Sequence, residues 1–246
     1  MSYSEFRRKI IDKFPIIKKF KRYNLILPII LEQIIWPLFK PKKIYFDNRV
    51  FFTSTSEQSK PSRNLFAYKK IYNSFEKQLI EKYLAPGSNC IDIGANIGFF
   101  SYVFLKKIGQ NGKIFSFESI PKVFSILKKN FKGDKNVYCF LGVVGNKQND
   151  LIIDNMIDDK IDFIKIDIDG ADYYALKSCQ NIIARDKPKI IIEMSEASEI
   201  EHGIHYNKTI EFLVNNNYKL YEVDKKLEIF DRELKKNEVI NLFAFN

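Results

Sequence analysis

The residues best placed to do chemistry are an acid and two glycines in Cys90-Ile91-Asp92-Ile93-Gly94-Ala95-Asn96-Ile97-Gly98-Phe99. A short apolar run ends in Asp92, and an apolar helix-like stretch follows the second glycine. A strand that turns sharply into a helix leaves the first N–H groups of that helix without intrahelical partners. Glycine there admits a positive φ and lets a ligand approach the backbone. Asp92 can accept hydrogen bonds from a cationic or hydroxyl-bearing ligand. A dinucleotide site would instead carry G-x-G-x-x-G, with a pyrophosphate at the helix N-terminus. A G-x-x-x-G preceded by an acid suits a zwitterion, and so S-adenosylmethionine rather than NAD. The cofactor-binding candidates in this turn are Asp92, Gly94, Ala95, Asn96 and Gly98.

A second apolar run, residues 113–117, ends at Glu118, twenty residues after Gly98. A carboxylate at the end of the second strand of a βαβ unit can accept both hydroxyls of an adenosine ribose. The bland alternative is a solvated strand end favoured by the dipole of the next helix. Ser119 follows Glu118, and Gly142 lies in an apolar stretch, residues 141–145, suited to an adenine face. Both join the cofactor-binding candidates.

These residues need a scaffold, and the pattern supplies one. Strands are expected near 89–93, 113–117, 137–143, 161–167, 189–194, 218–224 and 240–246. Helices are expected after Ser74, with Phe75, Leu79, Ile80, Tyr83 and Leu84 buried, and near 98–108, 121–130, 171–185 and 207–216. Apolar strand runs separated by helices predict an α/β fold with a mostly parallel sheet covered on both faces. Ligands in such sheets bind beyond the carboxyl ends of the strands. The fourth strand ends in Lys165-Ile166-Asp167-Ile168-Asp169-Gly170-Ala171-Asp172, the fifth in Glu193-Met194-Ser195-Glu196, followed by a loop with His202 and His205.

Three stretches together resemble the FkbM family of S-adenosylmethionine-dependent methyltransferases: DIGANIG, FSFES, and IDFIKIDIDGAD followed by PKIIIEM. The resemblance covers about residues 70–246 and is most specific in the fourth strand. It implies a class I methyltransferase (Rossmann-like) fold with a seven-stranded mostly parallel sheet. It also implies O-methylation of a sugar, glycan or other hydroxyl-bearing small molecule. Carried over by position, Asp92, Gly94, Asn96, Gly98 and Glu118 hold the cofactor and Asp167 faces the methyl group. Asp169 and Asp172 stand where the family has Glu, Ser119-Ile120 precede the proline, and the connection from Gly145 to Lys160 is short. These departures bear on the acceptor pocket more than on the cofactor. An alcohol acceptor must lose a proton, and a base within hydrogen-bond reach helps. Asp167 is the first candidate, with Glu193, His202 and His205 as alternatives. Asp167 is also placed to bind the cofactor's amino group or to cap the next helix. No metal site is expected, because the two histidines have no obvious further ligands.

Of the formal net charge of +10, residues 1–50 carry +8, from twelve Lys/Arg and four Asp/Glu. We therefore divide the chain into a basic helical N-terminal extension, residues 1–65, and a methyltransferase domain, residues 66–246. The apolar run at 25–39 is broken by Pro28, Glu32, Gln33 and Pro37, too short to span a bilayer. Either residues 1–40 touch an anionic membrane peripherally or the arm packs on its own domain. The segment around residues 44–52 reads as a small hairpin or edge strand, and 53–62 as a polar loop. Three scattered cysteines fit a reduced, cytoplasmic setting. A nucleic-acid methyltransferase using the basic arm is a second reading, and a non-catalytic cofactor-binding scaffold a third. The first lacks an N-P-P-Y loop or a Pro-Cys dipeptide to support it. Oligomeric state is not legible.

Overall fold

Strands buried on both faces form the centre of the computed structural model, which describes residues 30, 31, 35–53, 62, 75–145, 147–168, 170–195, 203–223, 227–235 and 238–246. The elements in chain order are α1 (Trp36–Phe39), β1 (Lys43–Phe46), β2 (Arg49–Phe52), α2 (Phe75–Tyr83), β3 (Cys90–Ile93), α3 (Phe99–Ile108), β4 (Ile114–Glu118), α4 (Pro121–Asn130), β5 (Val137–Leu141), β6 (Phe163–Ile166), α5 (Asp172–Ser178), α6 (Gln180–Asp186), β7 (Lys189–Ser195), α7 (Asn207–Asn215), β8 (Lys219–Glu222) and β9 (Val239–Phe245). Seven strands form one sheet in the order β5-β4-β3-β6-β7-β9-β8. Strands β3 to β7 pair in parallel, and β9 runs antiparallel between β7 and β8. The order reverses between β3 and β6, where an open α/β sheet binds its ligand.

Alternation along each strand feeds two cores. Cys90, Ile114, Phe163 and Ile191 pack on one side with α2, α3 and α4; Ile91, Phe115, Ile164 and Ile190 pack on the other with α5, α6 and α7. Strands β3, β4 and β6 are buried at every position, as central parallel strands must be.

The expected hairpin forms from β1 and β2, with Asp47 and Asn48 at φ 47° and 61° in the turn. Positive φ at both central residues is what a two-residue hairpin connection requires. The hairpin packs on α3 and α4: Phe46 lies 5.7 Å from the Phe99 ring and Phe51 5.3 Å from Tyr102. The Arg49 guanidinium stacks 4.7 Å from the Phe131 ring and pairs with Asp134 at 2.5 Å. Asn130 completes the junction. Its side-chain oxygen accepts the Phe52 N–H at 2.7 Å, and its amide donates to the Phe52 and Ile97 carbonyls at 3.1 and 2.8 Å. Leu31 and Trp36 are buried in the same core, so this part of the basic extension packs on the body. The rest of the arm, residues 1–29, and most of the polar loop at 53–62 lie outside the described residues.

The single helix expected over 171–185 is instead two, α5 and α6, broken at Cys179. The break is capped from a distance: Asp154 accepts the N–H groups of Asn181 and Ile182 at 2.8 and 3.0 Å. All three cysteines are free thiols. Among the described residues no helix is long and apolar enough to cross a membrane.

Candidate active site

Register places the chemistry in rows. On the α3 face, Ser116, Asp92 and Lys165 are paired across β4, β3 and β6, and Lys165 pairs with Ile191 on β7. Just beyond those pairs, Glu118 ends β4, Gly94 and Asp167 are the first residues after β3 and β6, with the Asp167 N–H donating to the Ile93 carbonyl at 3.0 Å, and Glu193 lies late in β7. This second row lies at the carboxyl ends of the strands, across the point where the sheet reverses.

The glycine turn belongs to both rows. The N–H groups of Gly94 and Ala95 both donate to the Phe117 carbonyl, at 3.0 and 2.9 Å, so the turn leaves β3 while still fastened to β4. Gly94 has φ +81°, and a Cβ there would stand 1.9 Å from the Asp167 carbonyl oxygen. Only glycine permits that contact, which sets the turn against the residue following β6. Gly98 begins α3, and the Phe131 ring occupies the place its Cβ would take. Asn96 has φ 51° and donates its N–H to Glu118 Oε2 at 2.9 Å.

Glu118 is 5% exposed, and its other oxygen accepts the Ile120 N–H at 2.8 Å. Burial pushes its carboxyl above the usual range, against the pull of these N–H groups. Each carboxylate oxygen has a further lone pair, so a diol remains within its capacity. Ser119 next to it is exposed. Gly142 follows β5 and donates its N–H to the Glu118 carbonyl at 3.1 Å, bringing the 141–145 stretch to the same end of the sheet.

Asp92 is 1% exposed and turns beneath the turn towards α3. Its Oδ2 accepts the Ser101 hydroxyl at 2.5 Å, Ser101 is 2.9 Å from the Ser116 hydroxyl, and Oδ1 is buried without a hydrogen-bond partner. Burial raises its carboxyl, while Lys165 and Ser101 oppose the rise.

Asp167 is at the mouth. Its Oδ2 accepts from the Lys165 ammonium at 2.7 Å; the Asp167 side chain is 42% exposed and that of Lys165 only 3%. Burial alone would push Lys165 down, yet Asp167 and Asp92 outweigh it and hold it above its ordinary value. Asp172 closes the loop beyond β6 by accepting the Ile168 and Gly170 N–H groups at 3.2 and 3.1 Å, and burial lifts its carboxyl to about 6. Asp167 does not cap the next helix, which has no side-chain cap hydrogen bond. Among the alternative bases, Glu193 is half-buried in β7 opposite Asn241. His205, just before α7, takes the Asn207 N–H on Nδ1 at 3.2 Å. His202, Asp169 and Glu196 lie outside the described residues. Among the described residues no group of three potential ligands could hold a metal.

Lys165, Ser101 and Ser116 were not singled out on sequence. For Lys165 and Ser116 the signal is a polar residue inside a buried strand; Ser101, in α3, carries no such signal.

Residues 143–220 match the methyltransferase FkbM domain. The matched stretch runs from the end of β5 through α7 and includes Asp167. The FkbM resemblance is thus supported where its most specific residues lie, and the fold is that of class I methyltransferases. The chain is also 36% identical over 90 residues to ribosomal RNA large subunit methyltransferase E of Pseudomonas fluorescens, covering 35% of this chain and 43% of that protein. With the same-named protein of Buchnera aphidicola it shares 32% identity over 99 residues, 40% of each. The chain therefore spans about two fifths of the length of these curated relatives. A candidate rRNA methylase of Clostridium thermocellum, solved by crystallography, has the same fold, with a TM-score of 0.50 at 16% identity over 72% of this chain and 97% of that one.

The residues present fit S-adenosylmethionine, the cofactor expected from the sequence. A partly buried acid closes β4 beside an open glycine turn, and the turn tolerates no side chain at Gly94. The donor set, carboxylates with backbone N–H groups, matches hydroxyl and ammonium groups rather than a pyrophosphate.

Proposed function

We propose that this chain is an S-adenosylmethionine-dependent methyltransferase that methylates a hydroxyl on a sugar, glycan or other small molecule. The observation that supports this reading is the shared row of Glu118, Gly94 and Asp167, which sets a ribose acceptor, the cofactor turn and a half-exposed carboxylate side by side. Glu118 holds the ribose hydroxyls. Gly94, Ala95, Asn96 and Gly98 shape the turn, with Asp92 beneath it; Ser119 and Gly142 border the adenine side. When bound, S-adenosylmethionine supplies a methyl group on an electrophilic sulfonium, so positioning and exclusion of water are the protein's main tasks. Asp167 accepts the proton that the acceptor hydroxyl must lose, through the oxygen not held by Lys165.

An RNA hydroxyl is the second reading, favoured by the ribosomal RNA methyltransferases among the relatives. Charge weighs against it. Beyond residue 50 the chain carries 28 basic and 26 acidic side chains, and the row at the site is acidic. A polyanion gains little from such a surface.

Methyl-labelled S-adenosylmethionine incubated with the protein and fractionated cell extract discriminates the two. We expect label in the polar-glycan or small-molecule fraction. Label in RNA, with binding that falls steeply as salt rises, would replace the first reading by the second. Label nowhere, despite cofactor binding and a full range of fractions, would favour a non-catalytic scaffold.

The cofactor assignment has its own check. Glu118→Ala removes an acceptor of charged hydrogen bonds, each worth about 1.5–3 kcal/mol. S-adenosylmethionine affinity by calorimetry should fall at least about tenfold. Unchanged affinity would remove Glu118 from the site.

A further inference from the structure

Lys165 is the one charged side chain among the described residues of the four central strand positions that faces two acids at once. Asp92 is its register partner on β3 and shares its face, and Asp167, the first residue after β6, meets its ammonium. Its ammonium is buried, bonded to Asp167 Oδ2 at 2.7 Å and seated 4.5 Å from the Phe100 ring. A buried ammonium is costly unless paired, and so is a buried carboxylate. Here one cation serves both. It balances Asp92, whose Oδ1 has no hydrogen-bond partner, and it ties down one oxygen of Asp167. The other oxygen of the partly exposed Asp167 takes no part in that ion pair. The charged groups around the Lys165–Asp167 pair are Asp92 on β3, Asp172 at the head of α5 and Glu76 on α2.

We propose that Lys165 is a positioning residue, whose ammonium fixes the Asp167 carboxylate in its proton-accepting orientation and ties it electrostatically to Asp92 beneath the cofactor turn. The role rests on the reading of Asp167 as the base. It differs from simple core packing in a way that can be measured. Loss of positioning lowers turnover while acceptor binding holds, and a different cation at the same place restores it.

The test compares wild type with Lys165→Met and Lys165→Arg. Because Lys165→Met leaves Asp92 buried opposite no cation, Lys165→Met/Asp92→Asn is made alongside; there the buried pair is replaced as a pair, which costs far less than removing one partner. The first readout is independent of turnover: the carbon-13 chemical shift of the Asp167 carboxyl at fixed neutral pH in the cofactor-free protein, which reports its ion pair. It should move in both variants lacking the cation and stay near wild type in Lys165→Arg. The second is labelled methyl transfer to the acceptor fraction found above. In Lys165→Met, kcat should fall by about tenfold to a hundredfold, inside the range that general-base catalysis spans, with acceptor KM changed much less. Lys165→Arg should restore most of the loss. An unmoved Asp167 resonance in the double variant overturns the proposal, as does an unchanged kcat in Lys165→Met. Asp167→Asn, run in the same series, tests the underlying reading separately. Full activity there sinks Asp167 as the base, whatever the resonance shows of the pair.

Discussion

Asp167→Asn is expected to lower kcat by a factor of about 10² to 10⁴, the span that a well-placed general base contributes, while leaving S-adenosylmethionine affinity close to wild type. The geometry makes the substitution informative. Asparagine keeps an oxygen where Asp167 Oδ2 meets the Lys165 ammonium, so the buried lysine retains an acceptor. The cost to stability should stay near the worth of one charged hydrogen bond, about 1–3 kcal/mol. What disappears is the ability to take a proton. Single-turnover methyl transfer with calorimetry on the same preparation separates the two effects. Equal loss of cofactor affinity and turnover would instead assign Asp167 to the cofactor's amino group.

Gly94→Ala is expected to be the most damaging single-atom change in the chain. The added Cβ meets backbone, the Asp167 carbonyl at 1.9 Å, and it does so at φ +81°. Left-handed strain costs about 1–2 kcal/mol for a residue with a side chain, and forced overpacking about 1–3 kcal/mol more. Gly87→Ala is the matched control: it has the same φ of +81° but only a 4.0 Å neighbour, so it reports strain alone. For a chain of this size each kcal/mol lowers Tm by about 2–4 °C. The control should melt a few degrees early with binding intact. Gly94→Ala should melt at least twice as far below wild type and lose cofactor binding, because relieving the contact moves the turn away from Asp167. Equal melting shifts with intact binding would show that the two strand ends do not need to touch.

Much of this arrangement was legible in the sequence because it is local. A run such as Cys90–Ile93 declares a buried strand, Gly94 a turn, and Glu118 the end of the next strand at the right separation. The seven strands followed from their apolar runs, and the segment around 44–52 read as a hairpin or edge strand. What escaped was set by contacts distant in sequence. The break at Cys179 carries no Gly or Pro; it depends on Asp154, 27 residues upstream of Asn181. The orientation of Asp92 away from the mouth depends on Ser101 in the next helix. Lys165 is buried, and only the register with β3 reveals that an acid stands opposite it.

Asn130 has a consequence for how the chain can be divided. By taking both backbone groups of Phe52 and the carbonyl of Ile97, one amide side chain acts as a missing rung between the hairpin and the cofactor turn. Anything that holds the turn in its binding shape therefore also holds the hairpin down, and by linkage the reverse is true to the same extent. The residues before the catalytic body are in this sense a weight on the affinity scale. A tether, membrane or partner that pulled on β1 and β2 would be felt as a change in how tightly the turn grips its ligand.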